Sequence, residues 1–218
     1  MTKNKPSIFL NLFKFILLMI IGIVLTVVLL LFDVPGPIVY VIIMAIYLSV
    51  FTLRPMYIIY KSTSLQTIDR YIINNQRKPL FAYAYAVAYG SEAEIEGALK
   101  QILNKYKQQK IQHIYGANLA LFQKDDRRLL EYALAMKDQN YNAYYSGIAY
   151  AMNGNLEKAD ECLINLKTSW MIHSLKAFIA LKRGNKNDYL DGMNHSIAST
   201  AGIQRYVSHH MLKRFENI

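Results

Sequence analysis

GIAYAMNGNLEKADECL, Gly147 to Leu163, decides how this chain is read. An apolar helical stretch, YNAYYSGIAYAM, runs into Asn153-Gly154-Asn155, and a second helical stretch, LEKADECLINLK, follows. Glycine takes the left-handed conformation that ends a helix, so Gly154 marks a reversal. Gly147 and Ala159 are small enough to let two helices approach, and Tyr150 fills the junction beside them. Leu156, Ala159 and Leu163 form the inner stripe of the second helix. The expected object is a helix, a tight turn and a helix folded back on it.

The same pattern recurs. AFIALKRGNKNDYLDGM, Ala177 to Met193, sets Ala177 against Gly147, Gly184 against Gly154, Tyr189 against Ala159 and Met193 against Leu163. Upstream, AYAYAVAYGSEAEIEGAL, Ala82 to Leu99, places Gly90 at a turn with Ala86 and Leu99 in register. NLALFQKDDRRLLEYAL, Asn118 to Leu134, places Asp125-Asp126 at a turn and has no turn glycine. Turns anchored at 90, 125, 154 and 184 match a helical-hairpin repeat, whose period is about 30–35 residues. One such hairpin cannot bury its apolar face alone, so the pairs must stack.

Gly147, Tyr150, Gly154, Ala159 and Leu163 resemble the small, aromatic, turn-glycine, small and bulky apolar positions of the tetratricopeptide (TPR) repeat. Ala143 stands where that family commonly has tryptophan, and no proline ends the unit. The resemblance covers residues 77–200. It implies an all-α array of about four helix pairs, with the first helices lining a concave face that holds an extended peptide or a partner helix. On that register Gln112, Tyr115 and Leu119 come from the second pair, Tyr141, Tyr144, Tyr145 and Ile148 from the third, and Ser174, Phe178 and Lys182 from the fourth. Seventeen tyrosines favour this reading, because tyrosine gives large amphipathic contact area at low entropic cost. Packing between helices is the competing use of the same rings.

The N-terminal residues 1–60 have a different character. Phe15 to Phe32, FILLMIIGIVLTVVLLLF, holds no charge and spans roughly 27 Å, close to a hydrocarbon core of ~30 Å, and Ile8 to Asn11 can extend it. The apolar part of a cleaved signal peptide is usually only about 7–15 residues and leads to a small-residue cleavage site, whereas this run ends in Asp-Val-Pro-Gly-Pro. Asp33 to Pro37 reads as a turn in which glycine permits the reversal and Pro37 suits a first helical position. Ile38 to Leu53, IVYVIIMAIYLSVFTL, is the second uncharged run, with Met56 to Tyr60 lengthening it or lying in the interface. Two spans, about 8–32 and 38–53, predict a transmembrane hairpin with Gly22 and Thr26 forming a small-residue face for helix association. Lys3 and Lys5 before it and Arg54, Lys61 and Arg70 after it place both termini and the repeat domain in the cytoplasm.

Residues 61–76 read as a linking helix, in which Leu65, Ile68 and Ile72 share a face and Ser62, Thr63 and Ser64 offer caps. Residues 201–218 read as a basic helix capping the stack. There Ile203, Val207 and Met211 turn inward while Arg205, His209, Lys213 and Arg214 meet solvent.

Of the net charge of +10, Lys3, Lys5, Lys14 and Arg54 against Asp33 leave +3 on residues 1–60, so +7 falls on the remainder. Anionic lipid and nucleic acid are the usual partners of such charge. The basic residues are interspersed with acidic ones and no RNA-binding motif is present, so nucleic acid is not the expected partner. Lys100, Lys105, Lys107 and Lys110 are the densest basic run and suggest an exposed helix end. The single cysteine, Cys162, excludes an internal disulfide and reads as a packing residue. No two of His113, His173, His195, His209 and His210 sit at i, i+4, and no hydrolase, nucleotide or zinc motif occurs. No metal, no cofactor and no enzymatic activity are expected.

The expectation is therefore a membrane-anchored interaction scaffold whose array recruits or regulates a protein. Richness in Ile, Lys, Asn and Tyr fits an AT-rich bacterial genome, and with it cell-envelope assembly, division or secretion. The alternative is an accessory subunit of a membrane transporter or envelope-polymer enzyme, acting through the hairpin.

Overall fold

A computed structural model describes residues 8–215, and among them every regular element is helical. The chain divides after Lys61 into two compact units.

The first unit holds α1 (Ile8–Leu31), α2 (Gly36–Leu48), a π-helical stretch (Ser49–Leu53) and α3 (Arg54–Tyr60). The turn after α1 differs from expectation. The left-handed residue is Asp33, at φ 58, and Gly36 already begins α2 with Pro37 in its first turn. Val34 N–H reaches Leu29 O at 3.2 Å and Asp33 N–H reaches Leu30 O at 3.1 Å, the paired bonds that close a helix C-terminus. Aspartate tolerates this conformation better than most residues, which is why the reversal did not wait for glycine.

Gly36–Tyr60 forms one continuous helical run of 25 residues, whose most apolar 18-residue stretch has mean hydropathy 2.1 and is only 6% buried. Among the described residues it is the one helix long and apolar enough to cross a membrane, and Met19–Leu31 is a shorter apolar helix. Lys3 and Lys5, and the side chains of 8–15 in the expected first span, lie outside the described residues. The run continues past Leu53 through Arg54 and Pro55, with a local widening ahead of the proline. Pro55 has no N–H to give Phe51, and its ring crowds that carbonyl. Arg54 N–H instead bonds Ser49 O, five residues back. Gly22 and Thr26 are used within the unit. A Cβ on Gly22 would lie 2.6 Å from the Tyr47 hydroxyl of α2, and Thr26 Oγ1 donates to Gly22 O at 2.8 Å.

The second unit runs from α4 (Leu65–Asn75) through α5 (Pro79–Tyr89), α6 (Glu92–Lys105), α7 (Gln109–Phe122), α8 (Asp126–Leu134), α9 (Gln139–Met152), α10 (Leu156–Ile164), α11 (Ser169–Lys182) and α12 (Lys186–Ala198) to α13 (Gly202–Phe215). Ser64 caps α4 through Thr67 N–H, and Ile68 and Ile72 are wholly buried. The starts of α5, α7, α9 and α11 fall at 79, 109, 139 and 169, a constant interval of thirty.

One turn geometry recurs within three of the four pairs, α7–α8, α9–α10 and α11–α12. Lys124, Gly154 and Gly184 each take positive φ: 57, 85 and 79. The next residue sends its N–H back five positions: Asp125 to Ala120 O, Asn155 to Tyr150 O and Asn185 to Ala180 O, each at 2.9 Å. The same Asp or Asn then caps the following helix, accepting from Arg128, Lys158 and Asp188 N–H. The sequence placed the second turn at Asp125-Asp126, whereas the left-handed residue is Lys124. The first pair turns differently. Gly90 is extended at φ −89, and Ser91 with Glu94 forms a reciprocal capping box.

Close approach explains two further glycines. A Cβ on Gly147 would sit 2.5 Å from Leu175 of α11 and 3.2 Å from Cys162 of α10. One on Gly192 would meet the backbone of α11 at His173 O, 3.1 Å away.

The C-terminal helix packs on α12 and also returns to α4 and α5. Gly202 N–H bonds Ser62 O at 2.7 Å. Tyr206, fully buried, donates to Asp69 Oδ1 at 2.5 Å, and Tyr89 donates to the same oxygen at 2.7 Å. Arg214 donates to Val87 O, Ala86 O and Gly90 O, satisfying the carbonyl end of α5. Arg205 bonds Ile197 O and Thr200 O at the end of α12. Both arginines were expected in solvent; each instead serves a helix terminus.

A left-handed lysine costs about 1 kcal/mol relative to glycine. Lys124→Gly should therefore stabilise the second unit by about that amount, and Gly154→Ala should destabilise it similarly, since its Cβ meets nothing within 4 Å. Urea unfolding of the two variants should give shifts of opposite sign; shifts of the same sign contradict the turn assignment.

Candidate functional site

The expected partner-binding residues divide by burial. Leu119, Tyr144, Tyr145 and Ile148 are core residues, exposed by 9%, 9%, 4% and 3%. Tyr115, Tyr141 and Phe178 are partly exposed and Lys182 is exposed. The buried tyrosines form a seam across the first helices of the pairs. The Tyr83 ring of α5 meets Tyr115 of α7 edge-on at 6.0 Å. Tyr144 meets Tyr145 at 5.1 Å and Trp170 of α11 at 5.2 Å, also edge-on. Such geometry places a ring's positive edge on its neighbour's negative face.

Two of the phenols are satisfied inside. Tyr144 Oη and Ser174 Oγ lie 3.0 Å apart, and Tyr145 bonds the Asn118 side chain. Burial drives the pKa of Tyr83, Tyr144 and Tyr145 upward. For Tyr83 the neighbouring Tyr115 and Tyr144 add to the rise; for Tyr144 the bond to Ser174 opposes it. These rings stay neutral and hold the helices together. Phe178 packs against the core while Lys182 Nζ sits 5.8 Å over its ring.

A cleft of about 250 Å³ opens beside the partly exposed Tyr141. Gln109, Lys110, His113 and Ile114 of α7 line it with Met136, Lys137 and Asp138 of the α8–α9 loop. Asp138 is committed to the backbone: its carboxylate accepts from Asn140 N–H at 2.9 Å and Tyr141 N–H at 3.3 Å. Lys110 Nζ lies 5.5 Å from the Tyr141 ring centre. Burial, then Asp138, raises the Tyr141 phenol, so it remains a neutral donor. Two exposed ammonium groups, a neutral phenol and an apolar floor suit the holding of an anionic group. Of this lining only Tyr141 was expected. The sequence groups Lys110 with Lys100, Lys105 and Lys107 as one basic helix end. In fact Lys105 ends α6 and Lys110 lies in the first turn of α7. Gln112, expected on the concave face, caps α6 through Leu103 O at 2.7 Å and Tyr106 O at 2.6 Å.

The remaining titratable groups are dispersed. His173 stacks on His195 at 5.3 Å, and His195 Nδ1 is 3.4 Å from Asp191 Oδ2. Burial, aided by His209, lowers the His210 pKa to about 4. Burial, then Glu161, raises the Cys162 thiol. Among the described residues no three His, Cys, Asp or Glu side chains are grouped to hold a metal ion. Comparison with family models, with curated proteins and with solved structures finds no match.

Deleting a buried aromatic ring costs about 3–5 kcal/mol. Tyr144→Ala should therefore lower stability by an amount in that range, and Tyr144→Phe by about 1 kcal/mol for the lost bond to Ser174. Tyr141→Ala, at a partly exposed site, should cost less than half as much as Tyr144→Ala. Equal costs for the two alanine variants in thermal unfolding would contradict these placements.

Proposed function

We propose that this chain is a membrane-anchored scaffold, in which a TPR-like helical array recruits or regulates a protein partner. The observation that carries the reading is the thirty-residue recurrence of helix starts with one shared turn geometry. Stacked hairpins of this kind present long surfaces suited to peptides or helices. The anchor is the apolar run Gly36–Tyr60, paired with α1 as a two-span hairpin. The Asp33 reversal and the Gly22–Tyr47 contact support the pairing. Both termini face the cytoplasm on this reading, because the basic residues flank the hairpin and its outer turn has none. Partner contact falls to Tyr115, Tyr141, Phe178 and Lys182, which keep surface, while the buried Tyr144, Tyr145, Leu119 and Ile148 support them from behind. Cell-envelope assembly, division or secretion are the settings in which a bacterial protein of this form would act.

A photo-crosslinking residue at Tyr115 or Lys182, in living cells, tests the reading. The expected result is capture of the same protein from both positions, retained when residues 8–60 are replaced by an unrelated two-span anchor. Capture only from Tyr40 in the hairpin, abolished by that replacement, would favour an accessory subunit acting within the membrane.

A further inference from the structure

The two edges of the hairpin array differ in charge. On one edge lie the tight turns, 90–94, 123–128, 153–158 and 183–188. Glu92, Glu94, Asp125, Asp126, Glu157 and Asp188 there balance Lys124, Arg127, Arg128, Lys158, Arg183 and Lys186. On the other edge lie the connections between pairs, 103–113, 134–141 and 164–171. These carry Lys105, Lys107, Lys110, Lys137 and Lys167, all exposed, against one acidic residue, Asp138, whose carboxylate is bound to backbone N–H groups. Glu131 and Glu161 stand one helical turn further back.

The connections form one continuous surface. Gln112 ties the start of α7 to the end of α6, and Lys110 reaches the Tyr141 ring of α9. Lys167 N–H donates to Asn140 Oδ1 at 2.7 Å, joining the α10–α11 loop to the start of α9. Two large apolar side chains project from this surface. Leu134 at the end of α8 is 63% exposed, and Ile164 at the end of α10 is 84% exposed. They occupy equivalent positions, thirty residues apart.

We infer that this lysine-rich edge docks on an anionic lipid bilayer, with Leu134 and Ile164 entering the interface among the headgroups. The inference rests on reading Gly36–Tyr60 as a membrane helix, which keeps the domain close to a bilayer. Lysines draw the edge to anionic headgroups, and isolated apolar side chains among them gain by leaving water. The cleft beside Lys110, Lys137 and Tyr141 opens on the same edge and offers a headgroup phosphate two cations and a phenol. Leu134 and Ile164 are each a single exposed apolar side chain at the end of the second helix of its pair, set beside exposed lysines.

The test uses the full chain in lipid nanodiscs, with Cys162→Ser and a polarity-sensitive label on Leu134→Cys, Ile164→Cys or, at the opposite edge, Asn187→Cys. Labels at 134 and 164 should shift to the blue and be quenched by brominated lipid in phosphatidylglycerol–phosphatidylcholine discs. They should stay aqueous in phosphatidylcholine alone, and the label at 187 should stay aqueous in both. Each lysine removed should lower the docked-to-undocked ratio about fivefold, so Lys137→Gln with Lys167→Gln lowers it roughly thirtyfold. Added salt should release the edge. Labels at 134 and 164 that stay aqueous on anionic discs, or that match the label at 187, overturn the inference. A lysine edge that ignores anionic lipid but crosslinks to an acidic peptide overturns it in favour of a protein partner. Co-flotation with phosphatidylcholine vesicles reports the anchor alone. Should that fail, the same labels are read with anionic vesicles added to the chain in solution, so the two readings fail separately.

Discussion

A single left-handed residue followed by an Asp or Asn cap sets the geometry of the pairs from α7 to α12. The pair closes one helix and opens the next without a spare residue, because the N–H bonded back to the old helix belongs to the residue whose side chain caps the new one. With the turn so fixed at Lys124, Gly154 and Gly184, equal helix lengths bring α7, α9 and α11 into the same orientation at thirty-residue intervals. The aromatic seam follows from that register. Tyr144 meets Ser174, its partner one period later, and Gly147 yields to Leu175 of the next first helix. A shift of one residue in any turn would rotate the following helix by about 100° and break these contacts.

The array is also tied at its ends. Helix α13 lies against α12, the last helix of the pairs, and against α4 and α5, the first. Its bonds span more than a hundred residues of sequence, through Tyr206 to Asp69 and through Arg214 to the end of α5. A simple stack needs polar caps at both ends because each terminal repeat lacks a neighbour. Here one helix meets both requirements, and its Val207 and Met211 pack against the apolar cluster that α5 shares with α6 and α7. The inner tyrosines then pack among themselves. That leaves the partly exposed Tyr115, Tyr141 and Phe178, the exposed Lys182 and the lysine-bearing edge as the surfaces on offer.

Local features were legible in the sequence and distant ones were not. Gly154 and Gly184 announced their turns because glycine is the usual left-handed residue, and the Ile68/Ile72 spacing gave the buried face of α4. Lys124 is the reverse case, since a lysine carries no signal that its backbone is left-handed, and Asp33 carries only the weak one of aspartate's tolerance for that region. The apolar run from Ile38 to Leu53 is visible from hydropathy, with Met56 to Tyr60 either lengthening it or lying in the interface; that the helix runs on through Arg54 and Pro55 depends on a backbone adjustment that composition does not encode. Tyrosine misled most. Its ring suits an interface or a core equally, and only the positions of Ser174 and Asn118 show that Tyr144 and Tyr145 satisfy their hydroxyls inside. Of the cleft, Tyr141 was legible by register; Lys110 and Lys137 join it from a neighbouring helix and loop that share no sequence pattern with it.

The claim on which this account depends is that α13 holds the first helices to the rest of the second unit. Amide hydrogen exchange on the full chain carrying Tyr206→Phe and Arg214→Gln tests it most directly. These changes remove the hydroxyl that bonds Asp69 and the guanidinium that caps α5. The account predicts that α4 and α5 lose protection while α9 and α10, which have no bond to α13, keep it. Protection of α4 and α5 equal to that in the unaltered chain would contradict it.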